Sequence, residues 1–359
     1  MKRLTFNAWI SLTLATISTP LFSSAVTSDA MKVACQRSDL VAIASLVEAG
    51  VDPNGKPPYR GWPLGIAVEN DDARLVRLLL AKGADPNYGG PDGRCGPLWS
   101  AFDSSLPILH DLLAAGANPN CVWADKSGAG DQSLTTPLMA AASIKGLRRA
   151  RGVGRLTWTD QPARQDTPQA SDVIKLLLKF GANPNASSAF GSNALYDAVD
   201  SDDLDAARAL IDGGLNVNAR IHDARDVNTA AIGGTALMHA LGRYDPSTMQ
   251  AGTKMIGMLL DKGADPNVSP QGRFFAGSGE GTPPRSFSGE TPLSYVARLG
   301  YKDLAQLLLE HGANPYSARA DGAIPSEIAT KGGHIETAAL ILRYEKRHAI
   351  TLTMNTNKS

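Results

Sequence analysis

The phrase Gly-Ala-Asp-Pro-Asn stands at residues 83–87 and again at 263–267, with Gly-Ala-Asn-Pro-Asn at 116–120 and 181–185. Aligned on the last residue, the phrase and its near copies place Asn54, Asn87, Asn120, Asn185, Asn218 and Asn267 at intervals of 33, 33, 65, 33 and 49. Tyr316 takes the same place 49 residues further on. A fixed phrase at such intervals marks a repeating unit, and units of this size stack into arrays in which each contacts only its neighbours. The phrase itself reads as punctuation. Its Gly suits the left-handed residue that ends a helix, the Asp or Asn can bond nearby backbone, Pro forbids helix continuation, and the closing Asn suits a turn.

A second landmark lies between successive phrases: GWPLGIAVEN from 61, CGPLWSAFDS from 95, TTPLMAAASI from 135, SNALYDAVDS from 192, GTALMHALGR from 234, ETPLSYVARL from 290 and AIPSEIATKG from 323. Pro63, Pro97, Pro137, Pro292 and Pro325 fall where a helix begins, a position at which the missing N–H costs nothing. Small residues such as those at 140–143 then suit a short helix lying close to its neighbours. An apolar-periodic second helix follows, as in ARLVRLLLAKG at 73–83, and its Leu and Val stripe reads as core.

A 33-residue period with a TPLHxA-like start and an LLxxGADxN-like end resembles the ankyrin repeat, over residues 31 to about 345. The resemblance implies an all-α repeat solenoid of about eight helix-pair units, with β-hairpin or loop fingers between them. The expected division is a capping repeat at 29–60, an array at 61–322, a second capping repeat at 323–349 and a disordered tail at 350–359. Measured against the period, extra residues fall in the fingers at 121–135, 219–234 and 268–290, and between paired helices at 144–170 and 243–252. Insertions in such arrays map to loops and often to the binding face.

The resemblance also implies a protein-binding scaffold that uses its fingers and the exposed ends of its inner helices. Carried over by position, those fingers and helix ends give Tyr59, Glu69, Asn70, Asp103, Ser104, Asp200, Ser201, Arg243 and Arg298. The enlarged segments add Trp123, Trp158, Phe274 and Phe275. The stretch 146–169 carries five Arg against two Asp around Trp158 and suits either a solvated loop or an acidic protein surface. In 268–290, 12 of 23 residues are Gly, Pro or Ser, so its phenylalanines either pin the loop to the stack or meet a partner.

The chain starts with Lys2 and Arg3, an apolar centre and then small residues, the pattern of a Sec-type signal peptide covering 1–25, with cleavage after Ala25 or, less well placed, after Ala30. The expected address is periplasmic or secreted. No later apolar run reaches spanning length, and removing Lys2 and Arg3 from a chain of net charge zero leaves −2. Balanced charge argues neither for nucleic acid nor for an anionic membrane surface as a partner, and no nucleic acid is expected. Six scattered His form no HExxH motif, no GxSxG elbow occurs, and GSGEG at 277–281 lacks a preceding strand and a following GK[ST] helix. The expectation is therefore a monomeric, non-enzymatic module without cofactor or metal, binding a protein partner. Within that expectation it either inhibits an envelope-targeting toxic enzyme, as an immunity protein does, or serves as an envelope stress-protection scaffold. Cys95 and Cys121 sit in the hairpin regions flanking one repeat, and export permits a disulfide if their Cα atoms approach to ~5.5 Å.

Overall fold

The computed structural model describes residues 30–31, 33–35, 37–54, 63–88, 95–124, 134–151, 168–188, 191–220, 234–244, 249–269 and 289–356. A helical turn at 33–35 and α1 (Leu40–Glu48) form unit 1. Units 2 and 3 are α2 (Pro63–Glu69) with α3 (Ala73–Ala81), and α4 (Gly96–Ser100) with α5 (Leu106–Ala114). Unit 4 pairs α6 (Pro137–Arg151) with α7 (Ala170–Lys179), and unit 5 pairs α8 (Ala194–Asp200) with α9 (Leu204–Asp212). Units 6, 7 and 8 are α10 (Ala236–Gly242) with α11 (Met249–Asp261), α12 (Pro292–Leu299) with α13 (Lys302–Glu310), and α14 (Pro325–Lys331) with α15 (Ile335–Thr356).

Each unit is a helical hairpin, and the units stack into two layers. The first helices form an inner layer and the second helices an outer one, with α1, α3, α5, α7, α9, α11, α13 and α15 packed in succession. Between the layers lies the apolar stripe read from the sequence, including Ile43, Leu79, Leu109, Ile174, Leu210, Ile256 and Leu308, all fully buried. In five units the turn joining inner to outer helix uses a left-handed residue, Ser38, Asp71 and Asp202 in units 1, 2 and 5 and Gly300 and Gly333 in units 7 and 8, whereas Ser104 and Ser105 turn unit 3 at negative φ. Asp39, Asp72 and Asp203 then cap the outer helices by accepting from backbone N–H groups two or three residues on.

The recurring phrase does more than stop a helix. Gly83 adopts φ +86° past α3, and the N–H of Ala84 bonds back to the Leu79 carbonyl. Within the phrase, Asp85 accepts from the Asn87 N–H at 2.9 Å. The Asn87 side chain then reaches the next phrase. Its Nδ2 donates to the Gly116 carbonyl at 2.9 Å, and its Oδ1 accepts from the Asn118 N–H at 2.7 Å. Asn54, Asn120, Asn185, Asn218 and Asn267 each repeat this two-pronged bridge to the following unit. Tyr316 ends the series, its hydroxyl donating to the Glu345 carbonyl of α15 at 2.7 Å.

Among the described residues the fingers carry little strand. Trp123–Ala124 (β1) pairs antiparallel with Leu134–Thr135 (β2), and Ser187 bridges Asn193. Two boundaries differ from the sequence reading. The tail expected at 350–359 is helical as far as Thr356, because nothing after Gly333 in the chain is Gly or Pro and α15 continues. The insertions at 144–170 and 243–252 are also partly helix, since α6 extends through Arg151 and α11 begins at Met249. The expected signal segment lies outside the described residues.

Candidate functional site

The inner layer sets side chains at equal steps along one face of the stack, and the expected binding residues divide there into three groups. Some have purely internal roles. Ser104 is 3% exposed, and its hydroxyl donates to the Val68 carbonyl of unit 2 at 2.8 Å. Ser201 is 4% exposed. Both side chains are buried, so neither is open to a partner; a small polar residue there serves the turn rather than the face. Asn70 differs from these two: it stays exposed while its side chain donates to the Ile66 carbonyl at 2.8 Å.

Other positions form fixed charged pairs. On α8, Asp200 Oδ1 accepts from His239 Nε2 of α10 at 2.7 Å and from Arg243 Nη1 at 3.0 Å. Arg243 Nη2 also donates to the Asp200 carbonyl at 3.2 Å. His239 is 3% exposed, with its ring 5.5 Å from that of Tyr196, whereas the Asp200 and Arg243 side chains keep 41% and 51% of their surface. A buried imidazole thus holds an exposed acid and an exposed guanidinium side by side. Further along, Arg298 makes two bonds to Glu290, at 2.9 and 3.2 Å, and its guanidinium lies 5.1 Å from the Tyr295 ring centre. Glu290 is 1% exposed, and Arg319 lies 4.0 Å from the same carboxylate. Burial pushes the Tyr295 hydroxyl up to about 12.

Glu69 stands apart near the start of the array. Desolvation raises its carboxyl above the ordinary range, opposed by a hydrogen bond from Ser100 of the next inner helix. Asp103 lies in the 3₁₀ turn Ala101–Asp103 after α4, and Trp123 lies in β1. Tyr59, Trp158, Phe274 and Phe275 fall outside the described residues. No motif in the sequence marks His239, Glu290 or Arg319. A carboxylate and a histidine 39 residues apart carry no motif; their meeting depends on stacking.

Cys95 and Cys121 are joined in a disulfide with Cα atoms 5.4 Å apart, while Cys35 is free and buried. Among the described residues no group of three or more His, Cys, Asp or Glu could hold a metal ion. No helix among them is long and apolar enough to cross a membrane.

Paired helices in two layers, phrase-to-phrase asparagine bridges and an inner face of held polar side chains define a helical repeat solenoid. Residues 165–270 match the family pattern described as ankyrin repeats in three copies, and residues 62–90 and 288–320 match the single ankyrin repeat. The chain is 32% identical over 88 residues to mouse (Mus musculus) cyclin-dependent kinase 4 inhibitor B, covering 67% of that protein and 23% of this one. The chain belongs to the ankyrin repeat family. It is also 22% identical over 297 residues to E3 ubiquitin-protein ligase KEG of Arabidopsis thaliana, covering 67% of this chain but 17% of the ligase. Zygote-specific protein 3 of Chlamydomonas reinhardtii shares 32% over 137 residues, 38% of this chain and 35% of that protein. The chain thus spans well under half the length of these two relatives. A solved ankyrin repeat domain from Acinetobacter baumannii AYE superposes with a TM-score of 0.49 at 22% identity, over 70% of this chain and 99% of that one. Membership makes the chain a protein–protein interaction module of a fold that is in general a non-enzymatic scaffold.

Proposed function

We propose that this chain is an exported, non-enzymatic module that holds one protein partner against its inner-helix face and enlarged fingers. The observation that carries this reading is the Asp200–His239–Arg243 cluster. It presents a carboxylate and a guanidinium, each about half exposed, on adjacent helices with their geometry fixed from behind. Side chains immobilised before binding lose less freedom when a partner arrives, and Arg is among the residue types enriched at energetic centres of interfaces. Export is supported by the signal-like first 25 residues and by the Cys95–Cys121 bridge, since disulfides persist mainly in oxidising compartments.

An inhibitory version of this reading draws on the likeness to a protein named as a kinase inhibitor. Here the partner is an enzyme of the envelope, and co-expression relieves its toxicity. The experiment for the main reading is affinity capture from periplasmic extract with the full chain and with a variant lacking residues 268–290. The expected result is one dominant partner at the full chain, reduced at the variant while helical circular dichroism is unchanged. Equal capture by both removes that finger from the site, and recovery of the chain only from the cytoplasm contradicts export.

A further inference from the structure

Along most of the array, inner helices pack directly on one another: α2 on α4, α6 on α8, α8 on α10, α10 on α12 and α12 on α14. Among the described residues, the step from α4 to α6 has less of that inner-helix pairing while it keeps the outer-layer contacts found at the other steps. The neighbouring outer helices α5 and α7 pack there, His110 meets Phe180 edge-on at 5.6 Å, and Asn120 bridges to Gly181 and Asn183. The backbones of α4 and α6 come close at fewer places than those of the other successive inner helices, although Leu98 and Leu138 on them are both buried. α4 is five residues long and ends as a 3₁₀ turn, so it offers its neighbour less than the seven- or eight-residue inner helices do.

The disulfide falls at this same step. Cys95 precedes α4 and is 5% exposed, whereas Cys121 follows Asn120 directly, at the foot of the finger that leads into α6. The bridge therefore ties the start of the short inner helix to the connection toward the next inner helix, on the side of the stack where packing is thin. In a nearest-neighbour array each interface contributes its own share of stability, so a cross-link at one step acts on that step.

We propose that the Cys95–Cys121 bridge is a redox-sensitive latch that holds units 1–3 in register with units 4–8, and that its reduction turns the α4–α6 step into a hinge. A dithiol reductant supplies the two electrons. Its thiolate attacks Sγ of Cys121, the more exposed of the two; the S–S bond breaks and Cys95 leaves as a thiolate that takes up a proton. The second thiol of the reductant then closes on the mixed disulfide, releasing Cys121 as a thiol and the reductant as a cyclic disulfide. Cys35 stays outside this exchange, because burial pushes its thiol up to about 11 and keeps it protonated near neutral pH. The outer helices and the Asn120 bridge remain, so the two halves stay connected while their angle is freed.

The latch is tested by hydrogen-exchange mass spectrometry on the full chain, oxidised and after dithiothreitol in native buffer, with alkylation to confirm reduction. Exchange in α4, α5 and the start of α6 should accelerate by about tenfold or more, with α8, α10 and α12 unchanged. The double variant C95S/C121S should show the reduced pattern without reductant and no response to it. If that variant does not accumulate, the reduced wild-type chain carries the test alone. Three results would overturn the proposal: unchanged exchange after confirmed reduction, acceleration spread evenly over all units, or a bridge that resists dithiothreitol in the folded chain.

Discussion

A single asparagine per unit shows how much one side chain can do in a stacked fold. Asn87 closes its own turn with its N–H and spends both ends of its amide on the next unit. Asn87→Ala removes two intermolecule-like bonds between units at an exposed site where water can replace them. The expected loss is about 1 kcal/mol, read as a lower urea midpoint. Two glycines separate conformational from steric demands. At Gly83, with φ +86°, an added Cβ would meet nothing within 4 Å, so Gly83→Ala should cost only the left-handed penalty of about 1–2 kcal/mol. At Gly300, with φ +74°, the same Cβ would collide with the His334 imidazole, which bonds the Arg298 carbonyl at 3.0 Å. Gly300→Ala should therefore destabilise more than Gly83→Ala in the same denaturation assay. The sequence made the glycine and proline roles readable because they are local. It could not show the reach of Asn87, since a turn already accounts for an Asn at that place.

At the level of the element, helix starts were legible and helix ends only where Gly or Pro supplied them. Pro292 and Thr291 open α12 as expected, with Thr291 Oγ1 accepting from the Ser294 N–H. By contrast α6 and α15 outrun their expected limits, because a repeat template fixes where a helix can stop without making it stop there. Contacts between outer helices were not legible, as they join exposed polar residues that carry no pattern. His311 on the end of α13 is the clearest. Its Nδ1 donates to the Leu307 carbonyl at 2.9 Å and its Nε2 to Asp261 of α11 at 3.1 Å, an arrangement that suits the imidazolium. The Leu307 bond first, and then Asp261, raise its pKa above 6.5. A raised folded-state pKa means that this stabilisation is complete below the unfolded value and is lost as pH rises through the folded value. Thermal unfolding followed across that window should show stability falling with pH, and Asp261→Asn should flatten the slope.

Over the whole molecule, the asparagine bridges run from Asn54 to Asn267 and end at Tyr316, giving the array one repeated coupling from unit to unit. The solenoid itself was legible because its period is written in punctuation. The candidate site was legible only as positions. Asp200 and Arg243 were each placed on the inner face by their offset within the unit, but their pairing and the buried His239 behind them depend on how α8 and α10 stack. Ser104 and Ser201 stand at the offset of Arg243 yet are buried, because a short side chain at that place stays within the stack where the longer Arg243 reaches out of it. The central claim is that rigidly held charges on the inner face bind a protein partner, and calorimetric affinity for the captured partner tests it most directly. Arg243→Ala should weaken binding by about tenfold or more while leaving the unfolding midpoint nearly unchanged, because an exposed pair adds little stability. A charge reversal on the outer layer, Arg74→Glu, should bind as wild type does. Wild-type affinity in Arg243→Ala, or an equal loss in Arg74→Glu, would contradict the account.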